Sequence, residues 1–522
     1  MTAATQTAAH AATTLDQGFK RRARPASLAA MSKLPSILPT VVCSALAALV
    51  LAATAAPRAA PAAANLPPAV ASAIRASGLP AQSFGLYAQE VIGDRTAFAL
   101  NADQPYTMAS TTKIVTSLAA LDLLGPYYRW RTSAFALGTL ADGKLIGDLL
   151  IVGGGNAQLT SADLAKWFKR MHAQGLREIE GDIVLDRYAF QLRPADHKGT
   201  PMQSAGEPRH VWPDAMTLDE GQLAVLVQPA RGARAAAISL RPALSDVRLD
   251  NRLTAGGGCS AAPSWRNERD GRATVVVQGS WDAGCGARSI SFVPPPDSGV
   301  AARALPAMWA ATGGVLRGKV VSARVVPGVS PIPLGADGEP VKPLSFDRSK
   351  PLTELVRDIN KVSDNVGARN LMLSLSPGFP ARPATLAGAQ RTIDLWLRDQ
   401  GLADGDIEVE NGSGLSHTER AKPRAMVQLL RKAWRAEQAQ AFFDSLPIAG
   451  VDGTMKGRLV GSRAAGQAYL KTGTLNDTRA LAGYVHGMSG KMYAVALMVN
   501  SADPAAGRPA LDAMVAWLAR NG

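Results

Sequence analysis

The sequence is poor in the residues that build metal centres and redox sites. It has 3 cysteines and 6 histidines among 522 residues. There is no C-x-x-C pair. His10, His172, His197, His210, His417 and His486 stand apart, without H-x-H or H-E-x-x-H spacing, so no metal and no cofactor is expected. The run Gly153-Gly154-Gly155-Asn156 lacks the G-K-[ST] of a phosphate loop and reads as a turn. Long apolar runs are scarce as well, and only residues 38–56, LPTVVCSALAALVLAATAA, approach the length of a membrane span. The Lys and Arg residues form no long run and are not interleaved with aromatics, which make up 5% of the chain. That argues against nucleic acid as a partner.

What is present is ordinary globular material: 47% hydrophobic residues, 49 Gly and 34 Pro, enough for two or three domains with real cores. Residues 1–64 carry six basic groups and one acid, then the apolar run, then Ala/Pro-rich APRAAPAAA. Basic, apolar and small residues in that order predict an export signal within about residues 31–64, with Met31 as a second candidate start and cleavage favoured over an uncleaved anchor. Removing residues 1–64 lowers the net charge from +14 to about +9. Outside the cytoplasm that charge reads first as a solvated basic surface, with anionic wall polymers or a membrane surface as the partners it could meet. Cys43 falls in the leader, and the remaining pair, Cys259 and Cys285, predicts a disulfide in an exported chain.

Along the chain, residues 66–78 predict a short helix and residues 84–91 and 96–101 two strands. Ser110 starts a helix on which Ile114, Val115, Leu118, Leu121 and Leu124 recur at helical spacing, stopped by Gly125-Pro126. From about 130 to 345 the texture becomes short strands and Gly/Pro turns. Helical patterning returns at 351–375 and 423–438, three strands follow at 468–475, 479–487 and 491–500, and a helix at 509–521 closes the chain. The ends therefore predict one α/β domain, an antiparallel sheet flanked by helices, split by a long β-rich insert of one or two extra domains. The expected division is 1–64 leader, 65–160 first part, 161–345 insert and 346–522 second part.

The chemistry is carried by three short motifs. Ser110-Thr-Thr-Lys113 puts an amine one turn from a hydroxyl by helix pitch alone. An alcohol is a weak nucleophile and needs such a base, provided burial or a neighbouring cation leaves the lysine partly neutral. Ser363-Asp364-Asn365, inside the helical segment 351–375, offers a second hydroxyl and an amide. Lys471-Thr472-Gly473-Thr474 lies on a strand, where a fixed cation and two hydroxyls make a receptor for a carboxylate and Gly473 allows a substrate backbone to approach. Chance would supply about two S-x-x-K but only about 0.1 K-T-G in a chain of this size. The ordered trio is therefore far more telling than any one member.

S-x-x-K, S-D-N and K-T-G in this order resemble the penicillin-binding proteins and class A β-lactamases. With the segments at 410–426 (ENGSGLSHTERAKPRAM) and 449–459 (AGVDGTMKGRL), and 253 residues between Ser110 and Ser363, the chain is most similar to the D-alanyl-D-alanine carboxypeptidase/endopeptidase family, the class C low-molecular-mass penicillin-binding proteins. The resemblance implies a β-lactamase/transpeptidase-like fold and a periplasmic serine hydrolase acting on peptidoglycan peptides, with β-lactams as covalent inhibitors. It implies Ser110 as nucleophile, Lys113 as its base and Ser363 as proton relay. Asn365 would hold the peptide. Lys471, Thr472, Gly473 and Thr474 would bind the terminal carboxylate, and the N–H groups of Ser110 and Thr474 would form an oxyanion hole. The competing readings are a serine β-lactamase and a non-catalytic wall-binding protein. The NGSGLS and GVDGTM segments read as structural support for the cleft, and Trp130, Trp212, Trp265 and Trp281 as core or interface residues.

Overall fold

The computed structural model describes residues 66–197, 211–229, 236–322 and 340–522. The export-leader reading of residues 1–64, Cys43 included, lies outside them.

Strands at the two ends of the chain share one sheet. β1 (Phe84–Glu90), β2 (Thr96–Leu100), β3 (Ala468–Leu475), β4 (Thr478–His486) and β5 (Met492–Asn500) pair in the order β3-β4-β5-β1-β2. All four pairings are antiparallel, and Leu86 of β1 sits opposite Leu497 of β5. The helices around this sheet include α1 (Pro68–Ala76), α2 (Thr112–Leu123), α3 (Leu352–Val362), α4 (Asn365–Leu373), α5 (Leu386–Asp399), α6 (Pro423–Ala433) and α7 (Arg508–Asn521). Period-two alternation assigns the faces. Leu481, Val485, Val495, Leu497 and Val499 bury against α1 and α7, whereas Ala480, Ala482, Ala494 and Ala496 join the core beneath α2 to α6. Small residues on that second face let the helical layer approach closely. A Cβ on Gly473 would lie 2.6 Å from the Met108 carbonyl and 3.1 Å from the Ala109 Cβ. The chain's own turn before α2 thus packs closely against Gly473.

The middle of the chain builds separate layers. Residues 131–141, 144–152, 178–179, 183–186, 315–316, 320–322 and 345–348 form a mixed seven-stranded sheet, so the change of texture near residue 130 coincides with its first strand. Helices Ser161–Ala173 and Val300–Ala310 cover it through Trp167, Phe168 and Trp309. Between those helices two three-stranded sheets share a core that includes Val225, Val275, Val277, Trp281 and Phe292. Cys259 and Cys285 are joined by a disulfide there, with their Cα atoms 5.5 Å apart. None of the described helices is long and apolar enough to cross a membrane.

Candidate active site

The turn that presents Ser110 is over-determined by its neighbours. Ala109 to Thr111 form one 3-10 turn before α2, with Ala109 at φ 45°, a left-handed conformation that alanine adopts only under constraint. The two threonines supply part of the constraint. The Thr111 hydroxyl donates to the Met108 carbonyl at 2.7 Å and the Thr112 hydroxyl to the Ala109 carbonyl at 2.9 Å. Gly414 supplies more, because a Cβ there would fall 2.1 Å from the Ala109 oxygen and 2.5 Å from the Ser110 nitrogen. Ser110 itself stays partly exposed.

Lys113 lies one turn further in and is fully buried. Its Nζ donates to Asn365 Oδ1 at 2.6 Å, to the Ser413 carbonyl at 2.5 Å and to Ser110 Oγ at 3.1 Å. A lysine ammonium has three donors, and here each has one acceptor. When the amine is neutral, its two hydrogens stay with Asn365 and Ser413, and the lone pair is left facing the Ser110 hydroxyl. Burial pushes Lys113 down to about 7; the carboxyl groups of Asp364 and Glu419 pull it back up, and the Arg369 guanidinium adds to the depression. An amine held there is partly neutral near physiological pH, the state in which it could accept a proton.

The helix expected over 351–375 is two helices. α3 ends at Val362, Ser363 turns left-handed at φ 62°, and Asp364 caps α4 by accepting from the Gly367 N–H at 3.0 Å. Apolar spacing runs through the break, which hides it from a periodicity reading. The kink presents the Ser363 hydroxyl to Lys471 Nζ, 2.9 Å away. Lys471 sits on the edge strand β3, fully buried, and also donates to the Thr472 carbonyl at 3.0 Å. Burial first, and then the nearby Lys113 charge, holds Lys471 well below the usual lysine range. Ser110, Lys113 and Asn365 thus form one hydrogen-bonded group and Ser363 and Lys471 a second, close enough that the charge of one lysine bears on the other.

The remaining expected residues are placed less uniformly. The Asn365 carbonyl oxygen is engaged with Lys113. Thr474 is exposed next to Gly473, and the Thr472 hydroxyl pairs with the Thr454 hydroxyl at 2.8 Å. Thr454 lies in the GVDGTM loop. That loop is tied to α3 by Asp452, whose carboxylate accepts from Lys361 at 2.6 Å, two residues before Ser363. Sequence reasoning missed Thr454, Arg369, Glu419 and the Ser413 carbonyl. The only signal for the last two was the glycine pair in NGSGLS, since Gly412 and Gly414 have φ of 77° and 85° and shape the loop that carries Ser413. Among the described residues no group of three or more His, Cys, Asp or Glu side chains could hold a metal.

This arrangement can activate a hydroxyl, receive an anionic group beside it and deliver a proton from a second hydroxyl. The comparisons with known proteins point the same way. A model of the D-Ala-D-Ala carboxypeptidase 3 (S13) family matches residues 66–521. The D-alanyl-D-alanine carboxypeptidase of Actinomadura sp. (strain R39) is 28% identical over 401 residues, 74% of this chain and 71% of the relative. The D-alanyl-D-alanine carboxypeptidase DacB of Haemophilus influenzae is 25% identical over 407 residues, 75% of this chain and 80% of the relative. The crystal structure of penicillin binding protein 4 from Haemophilus influenzae superposes with a TM-score of 0.69 at 22% identity, covering 85% of this chain and 98% of that one. The same protein has been solved in complex with a β-lactam, and that form matches with a TM-score of 0.65 at 21% identity, over 85% of this chain and 98% of that one. These superpositions establish the fold as that of the penicillin-binding proteins.

Proposed function

The chain belongs to the D-Ala-D-Ala carboxypeptidase 3 (S13) family, and on that premise we propose that it removes the terminal D-alanine of peptidoglycan stem peptides through an acyl-enzyme on Ser110. The observation that carries this reading is the 3.1 Å contact between the Ser110 hydroxyl and a buried lysine held near neutrality.

The contacts support one order of steps. As Ser110 Oγ bonds to the carbonyl carbon of the penultimate D-Ala, its proton passes to the Lys113 lone pair. The N–H groups of Ser110 and Thr474 receive the developing oxyanion, a contribution of about 3 kcal/mol in sites of this kind. Lys471, with the hydroxyls of Thr472 and Thr474, receives the substrate carboxylate. When the C–N bond breaks, the leaving amine takes a proton from Ser363 Oγ, which regains one from Lys471 at 2.9 Å. Water then attacks the ester carbonyl and passes a proton through Ser363 back to Lys471, while Lys113 returns its proton to Ser110 Oγ as the ester C–O bond breaks. Asn365, whose side-chain carbonyl accepts from Lys113, also holds the substrate peptide.

A cross-bridge ending in the same D-Ala amide presents the same scissile bond, so endopeptidase cleavage uses the same residues. A β-lactam acylates Ser110 without losing a leaving group, which makes it a covalent inhibitor. The basic, apolar and small-residue order of residues 1–64 supports an exported, periplasmic enzyme, and the net charge of about +9 after their removal supports association with anionic wall polymer or a membrane surface.

The test is to incubate purified enzyme with a muramyl pentapeptide and, separately, with a fluorescent penicillin. Release of D-alanine and a mass adduct on Ser110 are expected. No release, or label on another residue, overturns the reading. Rapid turnover of the penicillin would favour a β-lactamase instead.

A further inference from the structure

Glu419 is fully buried between the NGSGLS loop and α6, and nothing in the steps above uses it. Its two carboxylate oxygens accept four backbone N–H groups. Oε1 takes those of Glu410, Asn411 and Gly412 at 3.2, 2.9 and 2.8 Å, and Oε2 takes that of Gly414 at 2.7 Å. Successive N–H groups converging on one point make a nest that accommodates an anion. Burial, the larger influence, raises the Glu419 carboxyl above the ordinary glutamate value, and the four backbone donors pull it back toward the charged form.

The loop wound around this carboxylate is the one that serves the base. Its Ser413 carbonyl accepts from Lys113 at 2.5 Å. Its Gly412 carbonyl accepts from the Thr116 hydroxyl of α2 at 2.8 Å, and its Gly414 abuts the Ala109–Ser110 backbone. The main-chain carbonyl of Glu419 also accepts from the Met108 N–H at 3.1 Å, two residues before the nucleophile.

We propose that Glu419 is the positioning residue of the acylation step: its buried carboxylate winds residues 410–414 into the shape that offers the Ser413 carbonyl to Lys113, and places a negative charge behind that amine. The assignment rests on the reading of Lys113 as the base. The charged groups facing Lys113 are Asp364 at the α3–α4 junction, Glu419 from its loop, Arg369 on α4 and Lys471 on β3. Of these only the two carboxyl groups favour the ammonium form, and Glu419 is the one whose side chain also holds a Lys113 acceptor in place.

Glu419→Gln keeps the shape but sets an amide NH₂ where a backbone N–H arrives. The readout is the second-order rate of acylation by a fluorescent penicillin across roughly pH 5 to 10, with the thermal midpoint measured alongside. Lys113 must be neutral to act, so the rate rises with pH through its pKa. Losing the anion favours the neutral amine, so the acid limb moves to lower pH by about one unit, a tenfold change in proton affinity. The plateau falls by about tenfold or more, because the Ser413 carbonyl is no longer held. A residue that merely supports the fold would lower the midpoint and leave the limb in place. An unmoved limb therefore overturns the proposal.

If Glu419→Gln does not fold, Glu419→Asp carries the test, since it keeps the charge and shortens the reach. The limb then stays and the plateau falls; a limb that moves, or a plateau at the wild-type level, overturns the proposal. Lys113→Ala separates this inference from its premise. If that variant acylates at the wild-type rate, the reading of the site fails, whereas an inactive Lys113→Ala beside an unmoved Glu419→Gln limb sinks only the role of Glu419.

Discussion

The sheet-and-helix region built from the two ends of the chain and the middle region between residues 130 and 348 both carry ion pairs open to solvent, but they differ in how much charge they bury. In the first, Lys113, Lys471, Arg369 and Glu419 are each at most 3% exposed. In the second, charged residues mostly meet in pairs open to solvent, such as Arg252 with Asp250 and Arg266 with Glu268. Exposed pairs of that kind contribute about 0–1 kcal/mol each, and the inserted region rests on apolar cores and a disulfide instead. Burying ionisable groups is expensive, and folds tolerate it mainly where a shifted pKa has a use. The contrast locates the chemistry before any mechanism is considered.

The largest effects are expected at Ser110 and Lys113. Ser110→Ala is expected to abolish both penicillin labelling and D-alanine release. Lys113→Ala should reduce the acylation rate by about 10²–10⁴-fold, the range of a lost general base, measured by stopped-flow labelling. A Lys113→Ala enzyme within a few-fold of wild type would mean that the buried amine is structural.

The next effect is expected at Gly414. A methyl group there meets the Ala109 oxygen at 2.1 Å, at φ 85°, so Gly414→Ala must displace the Ser110 turn. Acylation should fall by about 10²-fold, as misplacements of about 1 Å do, with a loss of about 1–3 kcal/mol in stability by denaturant titration.

A smaller effect separates the two regions. Cys259 and Cys285 close a 26-residue span within the inserted region. Replacing both with serine should cost about 3 kcal/mol of that region's stability by the loop-closure argument, seen as an earlier calorimetric transition. Acylation of Ser110 should stay within about twofold of wild type, because no residue of the site lies in the bridged sheets. A large fall in acylation would show that the regions are coupled more tightly than their separate cores imply.

The mildest expectation concerns stability against pH. A lysine depressed to about 7 in the folded state binds fewer protons there than in the unfolded chain, whose pKa is the ordinary 10.5. Its penalty is therefore fully present below about 7 and is relieved as pH rises toward 10.5, so Lys113 makes stability increase with pH across that window. Lys113→Met should flatten this slope in denaturant titrations. An unchanged slope would place the titration elsewhere.

These expectations rest partly on what the sequence makes legible. The S-x-x-K spacing places residues 110 and 113 on one helix start because helix pitch is local, and K-T-G reads as a strand because alternation flanks it. The left-handed break at Ser363 was not legible, since the apolar period of α3 continues into α4. Arg369 and Glu419 look like ordinary surface charges in sequence; their burial comes from packing against residues brought in from other elements. The contact of Gly473 with Met108 likewise depends on strands from opposite ends of the chain meeting in one sheet.

The central claim is that the amine beside Ser110 is a neutral base near physiological pH. It is tested most directly by following the ε-carbon resonance of Lys113 in enzyme labelled with [ε-¹³C]lysine, assigned by its loss in Lys113→Met. The account predicts titration near 7. A midpoint at the ordinary lysine value would contradict it.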